Sequence, residues 1–183
     1  MADLVEIGEY DLDEEALQIG VETYLDFKQS EEYQGEEKKE ILSEMNSWIR
    51  EQGTGKDTVV AYIEKLRKLT ENSTAFSLED ELATLEATAK EEPENLTEDL
   101  NNLYDGEGNL SDRVDAFRRS QDVNPATVGL LLATFDSERY PLYSDVDFRT
   151  FTLYFTGLNR PNLEGMTVGG RYQLFQEYCS TIT

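Results

Sequence analysis

The stretch from Asn124 to Tyr154 constrains this chain more than any other, because it joins the most apolar run to a turn crowded with aromatic rings. It reads NPATVGLLLATFDSERYPLYSDVDFRTFTLY. Asn124 before Pro125 predicts a helix start: the Asn side chain accepts from a free N–H of the first turn, and proline loses nothing by lacking an N–H there. The helix is expected to run to about Phe135. Val128, Leu131, Leu132 and Phe135 fall on one face, and Leu130 and Ala133 make the other sides apolar too, so neighbours should cover it all round. Pro141 disfavours helix at Tyr140, so the chain turns there and displays Tyr140, Leu142 and Tyr143. Ser144 or Asp145 then opens a further helix with Phe148, Phe151, Tyr154 and Phe155, which breaks at Gly157 to Pro161.

A chain of 183 residues suits one domain or two small ones, and a single domain of this size buries roughly 70% of its unfolded surface. With 38% hydrophobic residues, including 8 Phe and 10 Tyr, the 30% charge does not imply disorder. No apolar run approaches the ~18 residues of a membrane span. The acidic start, MADLVEIGEYD, is unlike a signal peptide, so a cytoplasmic protein without membrane contact is expected. The matches to the glycosylation pattern at Asn72, Asn95 and Asn109 then read as chance. The lone Cys179 has neither a second cysteine nor any histidine to work with, and reads as a small buried hydrophobe.

The net charge of −23, from 39 acids and 16 bases, would ordinarily repel nucleic acid and anionic membranes. It favours a halophilic source instead: near salt saturation the Debye length falls below ~3 Å and long-range repulsion vanishes. The charge is unevenly spread. Residues 1–72 hold 19 acids and 8 bases (−11), residues 73–112 hold 12 acids and 1 base (−11), and residues 113–183 hold 8 acids and 7 bases (−1).

Helical spacing recurs along the rest of the chain. Residues 1–12 form an arm or lead-in, and a helix from Asp13, ending near Lys28 to Ser30, is expected to turn Leu17, Val21, Tyr24 and Phe27 inward. A second, about Glu36 to Gln52, buries Ile41, Met45, Trp48 and Ile49 and stops at Gly53. A third, Thr58 to Leu69, buries Val59, Ile63 and Leu66. Ser77 with Asp80 resembles a capping box for a helix from Leu78 to about Lys90, which Pro93 closes. Asn95 to Tyr104 is a short helix, DGEGN is a turn, and Ser111 caps a helix bearing Val114 and Phe117. Val168 to Ile182 is the last, with Tyr172, Phe175 and Cys179 on one face. No alternating stretch argues for a strand, so the fold class is all-α: eight or nine short helices in one domain over 1–183, with a sub-boundary near 105–112.

Chemical motifs do not survive inspection. GTGKDT at Gly53–Thr58 would need glycine at Arg50, Ser or Thr at Asp57, and a preceding strand to be a phosphate loop, so it is a helix-to-helix turn. Asp105, Glu107 and Asn109 suggest a calcium loop, but Leu110 stands where glycine is required and Ala116 where the last ligand belongs. Carboxylate pairs such as Glu14–Glu15 and Glu91–Glu92 carry no information in so acidic a chain. No catalytic residue, metal ligand or cofactor is assigned, and the chain is expected not to be an enzyme.

The last third differs, because all its bases are arginines, which bind phosphate bidentately and stack on aromatic rings. Two readings stand side by side: a more buried region whose arginines pair with nearby carboxylates, or a contact surface for nucleic acid or a protein. RYPLY at Arg139–Tyr143 is likewise either a core staple between helices or a platform for bases or a protein edge. FDSERYPLY, then Phe148 and Phe151, Thr156–Gly157, Arg171–Tyr172, Phe175 and Cys179, resembles the helical segment upstream of the AAA-type motor in McrB-like restriction proteins, especially archaeal ones. The resemblance covers about residues 128–182.

It implies a non-catalytic N-terminal recognition or coupling domain of a modification-dependent restriction factor, with a downstream nucleotide-driven motor, a separate nuclease subunit and modified duplex DNA as partners. The residues expected to touch nucleic acid or a partner are Arg139, Tyr140, Tyr143, Arg149, Arg160 and Arg171. The alternative is a stand-alone halophilic helical adaptor that docks a protein. Screening of acid–acid repulsion gives the first prediction. The melting temperature should climb steeply from dilute buffer into molar KCl; a melting temperature indifferent to salt would remove the halophilic reading.

Overall fold

The computed structural model describes residues 18, 19, 22, 35–71, 73, 76, 78–143, 148 and 165–182. Among them seven helices follow one another: α1 Gly35–Gln52, α2 Val59–Glu71, α3 Glu79–Glu91, α4 Pro93–Asp105, α5 Leu110–Gln121, α6 Pro125–Phe135 and α7 Val168–Ile182. The described residues contain no strand, so the all-α class holds, with seven helices where eight or nine were expected. The helices expected from Asp13 and from Ser144 or Asp145 fall largely outside the described residues, of which Gln18, Ile19, Glu22 and Phe148 are helical.

Helix α6 is the middle of the structure. Asn124 caps it as expected, its side chain accepting from the Thr127 N–H at 2.9 Å, with Pro125 in the first turn. Every residue from Thr127 to Thr134 is buried, while Phe135 at the end is half-buried. A helix covered all round cannot leave its terminal N–H and C=O groups to water, so protein groups must meet them. Glu81 on α3 supplies the carboxylate for the start: it accepts from the Asn124 N–H at 3.0 Å, from the Asn124 amide and from the Thr127 hydroxyl. Asn46 on α1 serves the other end, donating from Nδ2 to the carbonyls of Thr134 at 2.8 Å and Ala133 at 3.3 Å.

The remaining helices pack in sequence order around this centre. α1 lies on α6 and turns onto α2, α2 packs broadly on α3, α4 packs on α3 and α5, and α7 returns along α5. The predicted apolar faces are the buried ones: Ile41, Met45 and Ile49 on α1, Val59, Ile63 and Leu66 on α2, Leu82, Leu85 and Ala89 on α3, and Leu96, Leu100 and Leu103 on α4. Trp48 is only half-buried and stacks on Tyr62 with ring centroids 6.1 Å apart. GTGKDT is the helix-to-helix turn expected. Gly53 adopts φ 74°, a conformation that favours glycine, and Lys56 pairs with Glu94.

Several helix starts differ from expectation. Leu78 occupies the N-cap of α3 and makes no side-chain cap, since its hydrocarbon side chain has no acceptor and is buried in the core instead; Ser77 lies outside the described residues. Pro93 ends α3 and also begins α4, two residues before the expected Asn95, since proline suits the first helical position. Asn109, not Ser111, caps α5, accepting from the Asp112 N–H at 2.8 Å. Ser111 instead donates its backbone N–H to Gln173 on α7 at 3.3 Å.

The contact of α5 with α7 is close enough to require a particular residue. A Cβ at Gly169 would lie 1.9 Å from the Ser111 carbonyl oxygen, so only glycine lets the backbones approach this far. Asp115 on α5 then reaches the start of α7, accepting from the Gly169 N–H at 2.9 Å. Gly169→Ala should push α7 away and cost roughly 1–3 kcal/mol, as overpacking does. Gly55→Ala, at a site with nothing within 4 Å of an added Cβ, is the control that should melt like the parent. Equal melting of the two variants would refute the close approach.

Candidate recognition surface

The aromatic turn is built from its first residue. The Asp136 carboxylate accepts from the N–H groups of Glu138 and Arg139, both at 3.1 Å, and its carbonyl accepts from the Tyr140 N–H at 2.8 Å. That local bonding, followed by Pro141, reverses the chain and drives Tyr140 and Tyr143 inward, to 1% and 2% exposure. Tyr143 becomes the hub of a ring cluster, with centroids 6.0 Å from Phe148, 5.5 Å from Tyr172 and 5.5 Å, edge to face, from Phe175. Its backbone passes so near α6 that a Cβ at Gly129 would lie 2.9 Å from the Tyr143 Cβ.

Polar contacts fix the same turn. The Tyr140 hydroxyl donates to the Tyr104 carbonyl at 2.8 Å and the Tyr172 hydroxyl to the Pro141 carbonyl at 2.8 Å. Gln176 on α7 donates to the Arg139 carbonyl at 2.7 Å. RYPLY thus has the geometry of the core staple. With both rings enclosed, neither Tyr140 nor Tyr143 offers a face for stacking on a base in this conformation.

The arginines expected to make contacts are placed differently from one another. Arg139 is half-exposed, 3.1 Å from Asp105, with its guanidinium 4.9 Å above the Tyr140 ring. Arg171 is half-buried on α7, and its Nε is buried without a hydrogen-bond partner. Arg149 and Arg160 lie outside the described residues. Sequence reasoning did not separate the other arginines by role. Arg113 turns inward and donates from Nη1 to the carbonyls of Leu103 at 2.9 Å and Tyr104 at 2.6 Å, closing the end of α4. Arg118 and Arg119 stand in the last turn of α5, each donating from Nε to a carbonyl: Val123 at 3.1 Å and Asp115 at 3.1 Å.

Polar groups missed in the sequence form a buried hydroxyl chain. Thr134 donates its single proton to the Leu131 carbonyl at 2.9 Å, so Tyr62, 2.8 Å away, must donate to Thr134, and Tyr104, 3.1 Å from Tyr62, must donate to Tyr62. Each proton is used once. Helical spacing could have flagged Tyr62, which follows Val59 on the buried side of α2, but nothing local links it to Tyr104. Burial favours the neutral phenols: Tyr62 is pushed up to about 12 from an ordinary 10.0, and Tyr104 and Tyr172 are raised well above 10.0 by the same cause.

Charged groups are arranged for structure as well. Glu86 on α3 is nearly buried between Lys90 and Arg67, and the hydrogen bonds from these two cations, Lys90 first, hold its carboxyl below the usual 4.5. In the loop that suggested calcium, Asn109 caps α5 and Asp105 pairs with Arg139. Among the described residues no three His, Cys, Asp or Glu side chains are grouped to hold a metal ion, and no helix is long and apolar enough to cross a membrane.

The tyrosines set a pH dependence whose sign follows from linkage. Their folded values exceed their unfolded ones, so the stabilisation is complete below about pH 10. Above it, the unfolded chain releases protons that the folded chain retains, and stability falls by roughly 1 kcal/mol per pH unit for each buried tyrosine. Glu86 acts oppositely, its contribution being lost as pH falls below 4.5. In an alkaline titration, tyrosinate absorbance from Tyr62 and Tyr104 should therefore appear only together with loss of helical circular dichroism, and Tyr62→Phe should keep the helix to higher pH once its lower starting stability is subtracted. Ionisation of every tyrosine while the helix signal persists would contradict the buried chain. No family model, curated protein or solved structure matches this chain.

Proposed function

We propose that the chain is a non-catalytic recognition or coupling domain of the McrB-like kind, which meets duplex DNA through phosphate contacts and passes that contact to an AAA-type motor and a separate nuclease subunit. One observation supports this most. Among the residues that carry the resemblance, Tyr143 and Phe148 from the turn meet Tyr172 and Phe175, more than twenty residues further on, in one buried ring cluster around Tyr143, and Tyr140 is buried beside them in the same core. A buried aromatic unit is a rigid frame, and a frame in the least acidic third of the chain is where arginines can meet an anionic partner. In high salt the acidic helices repel DNA only at short range.

A second reading, a helical adaptor that docks a protein partner, draws support from the burial of Tyr140 and Tyr143 and from the pairing of Arg139 with Asp105. The two diverge in one measurement: binding to methylated and unmethylated duplexes across a KCl series. DNA recognition predicts binding by the parent, and a salt slope smaller by about one unit for each of Arg149→Gln, Arg160→Gln and Arg171→Gln that removes a phosphate contact. Tyr140→Phe, which deletes only a buried hydroxyl, should lower stability by about 1 kcal/mol and leave the slope unchanged. A parent that binds neither duplex at any salt where it stays folded would replace DNA recognition with the adaptor.

A further inference from the structure

We propose that Asp105, the last residue of α4, is a built-in competitor that occupies the Arg139 guanidinium in place of a duplex phosphate, so that DNA binding beside the aromatic turn requires the two to part. The proposal rests on the DNA reading above and adds a control on one of its residues. Among the described residues expected to make contacts, Arg139 is the one held at a defined place on the surface. Its N–H donates to the Asp136 carboxylate at 3.1 Å and its carbonyl accepts from Gln176 at 2.7 Å, which fixes the base of the side chain. The guanidinium lies 4.9 Å above the Tyr140 ring, and its Nη1 is 3.1 Å from one oxygen of Asp105. The two side chains are 50% and 64% exposed, so the pair stands where a partner can reach it.

Asp105 is not placed there by the needs of its own helix. A carboxylate at a helix C-terminus meets the negative end of the dipole, an unfavourable position. The end of α4 is closed without it: Arg113 donates to the carbonyls of Leu103 and Tyr104, and the Gly106 N–H donates to the Asn102 carbonyl at 3.1 Å. What Asp105 does hold is Arg139, 34 residues away. It holds it weakly, through Nη1 and a single oxygen rather than the parallel fork of a bidentate pair, and an exposed pair of this kind contributes little. A phosphate offers the guanidinium the two-oxygen contact that Asp105 does not make, and so can displace it. The plain alternative is that the pair is one more surface contact, and that Asp105 acts on DNA only as any other acid of the chain does, through its charge.

The test is a double-mutant cycle in the full chain: parent, Asp105→Asn, Arg139→Gln and the double variant, each binding an unmethylated duplex at a KCl concentration where melting shows all four folded. Asp105→Asn should bind about two- to five-fold tighter than the parent, the factor that an exposed pair withholds. It should also melt like the parent, because the lost pair is offset by relief at the helix end. In the Arg139→Gln background the gain should fall to that of Glu107→Gln, a nearby exposed acid outside the pair, which measures the effect of charge alone. A gain from Asp105→Asn that is the same with and without Arg139 would overturn the proposal while the DNA reading stands, and so would no gain in a parent that binds. Binding by Asp105→Asn where the parent binds nothing would support the proposal most directly. If neither binds the duplex, the proposal and the DNA reading fall together.

Discussion

The two ends of α6 set the terms for the rest of the fold. An apolar helix at the centre of a domain buries its terminal peptide groups along with its side chains, and an unmet buried N–H or C=O costs about 1–3 kcal/mol. Glu81 from α3 and Asn46 from α1 meet those groups across 43 and 88 residues of sequence. The hydrogen bonds therefore decide where α1 and α3 can lie. Hydrophobic contact alone would let either helix slide; an amide that must reach the last carbonyls, and a carboxylate that must reach the first N–H, remove that freedom.

The hydroxyl chain extends the same logic through the interior. Thr134, whose carbonyl accepts from Asn46, connects through its hydroxyl and Tyr62 to Tyr104, whose carbonyl accepts from Tyr140 and from Arg113. One continuous polar path thus joins α1, α2, α4, α5, α6 and the aromatic turn. Phenols suit this position because they fill core volume while carrying a single proton to place, and burial keeps them neutral. Helix α7 is fixed in another way, by backbone proximity at Gly169 and by the rings around Tyr143.

Electrostatics divides the molecule between structure and surface. Glu86, Arg67 and Lys90 form a cross-helix group between α2 and α3 that is partly shielded, whereas Lys56–Glu94 and Arg139–Asp105 are exposed pairs of small energetic weight. Acids outnumber bases 39 to 16, and a net charge of this kind bears on solubility and association more than on which helices touch.

The sequence by itself determined the helices and their inward faces, because local periodicity and terminal residues act over a few residues: Asn124–Pro125 started α6, Gly53 stopped α1, and Leu82, Leu85 and Ala89 turned inward on α3. It left RYPLY open between staple and platform, since the same rings and the same proline serve both. Only the tertiary structure decided that, by bringing Tyr104, Gly129, Tyr172 and Phe175 against the turn. Asn46 was also beyond local reading. A polar residue on a helix normally faces water, and its burial is explained solely by the two carbonyls of α6 that it reaches.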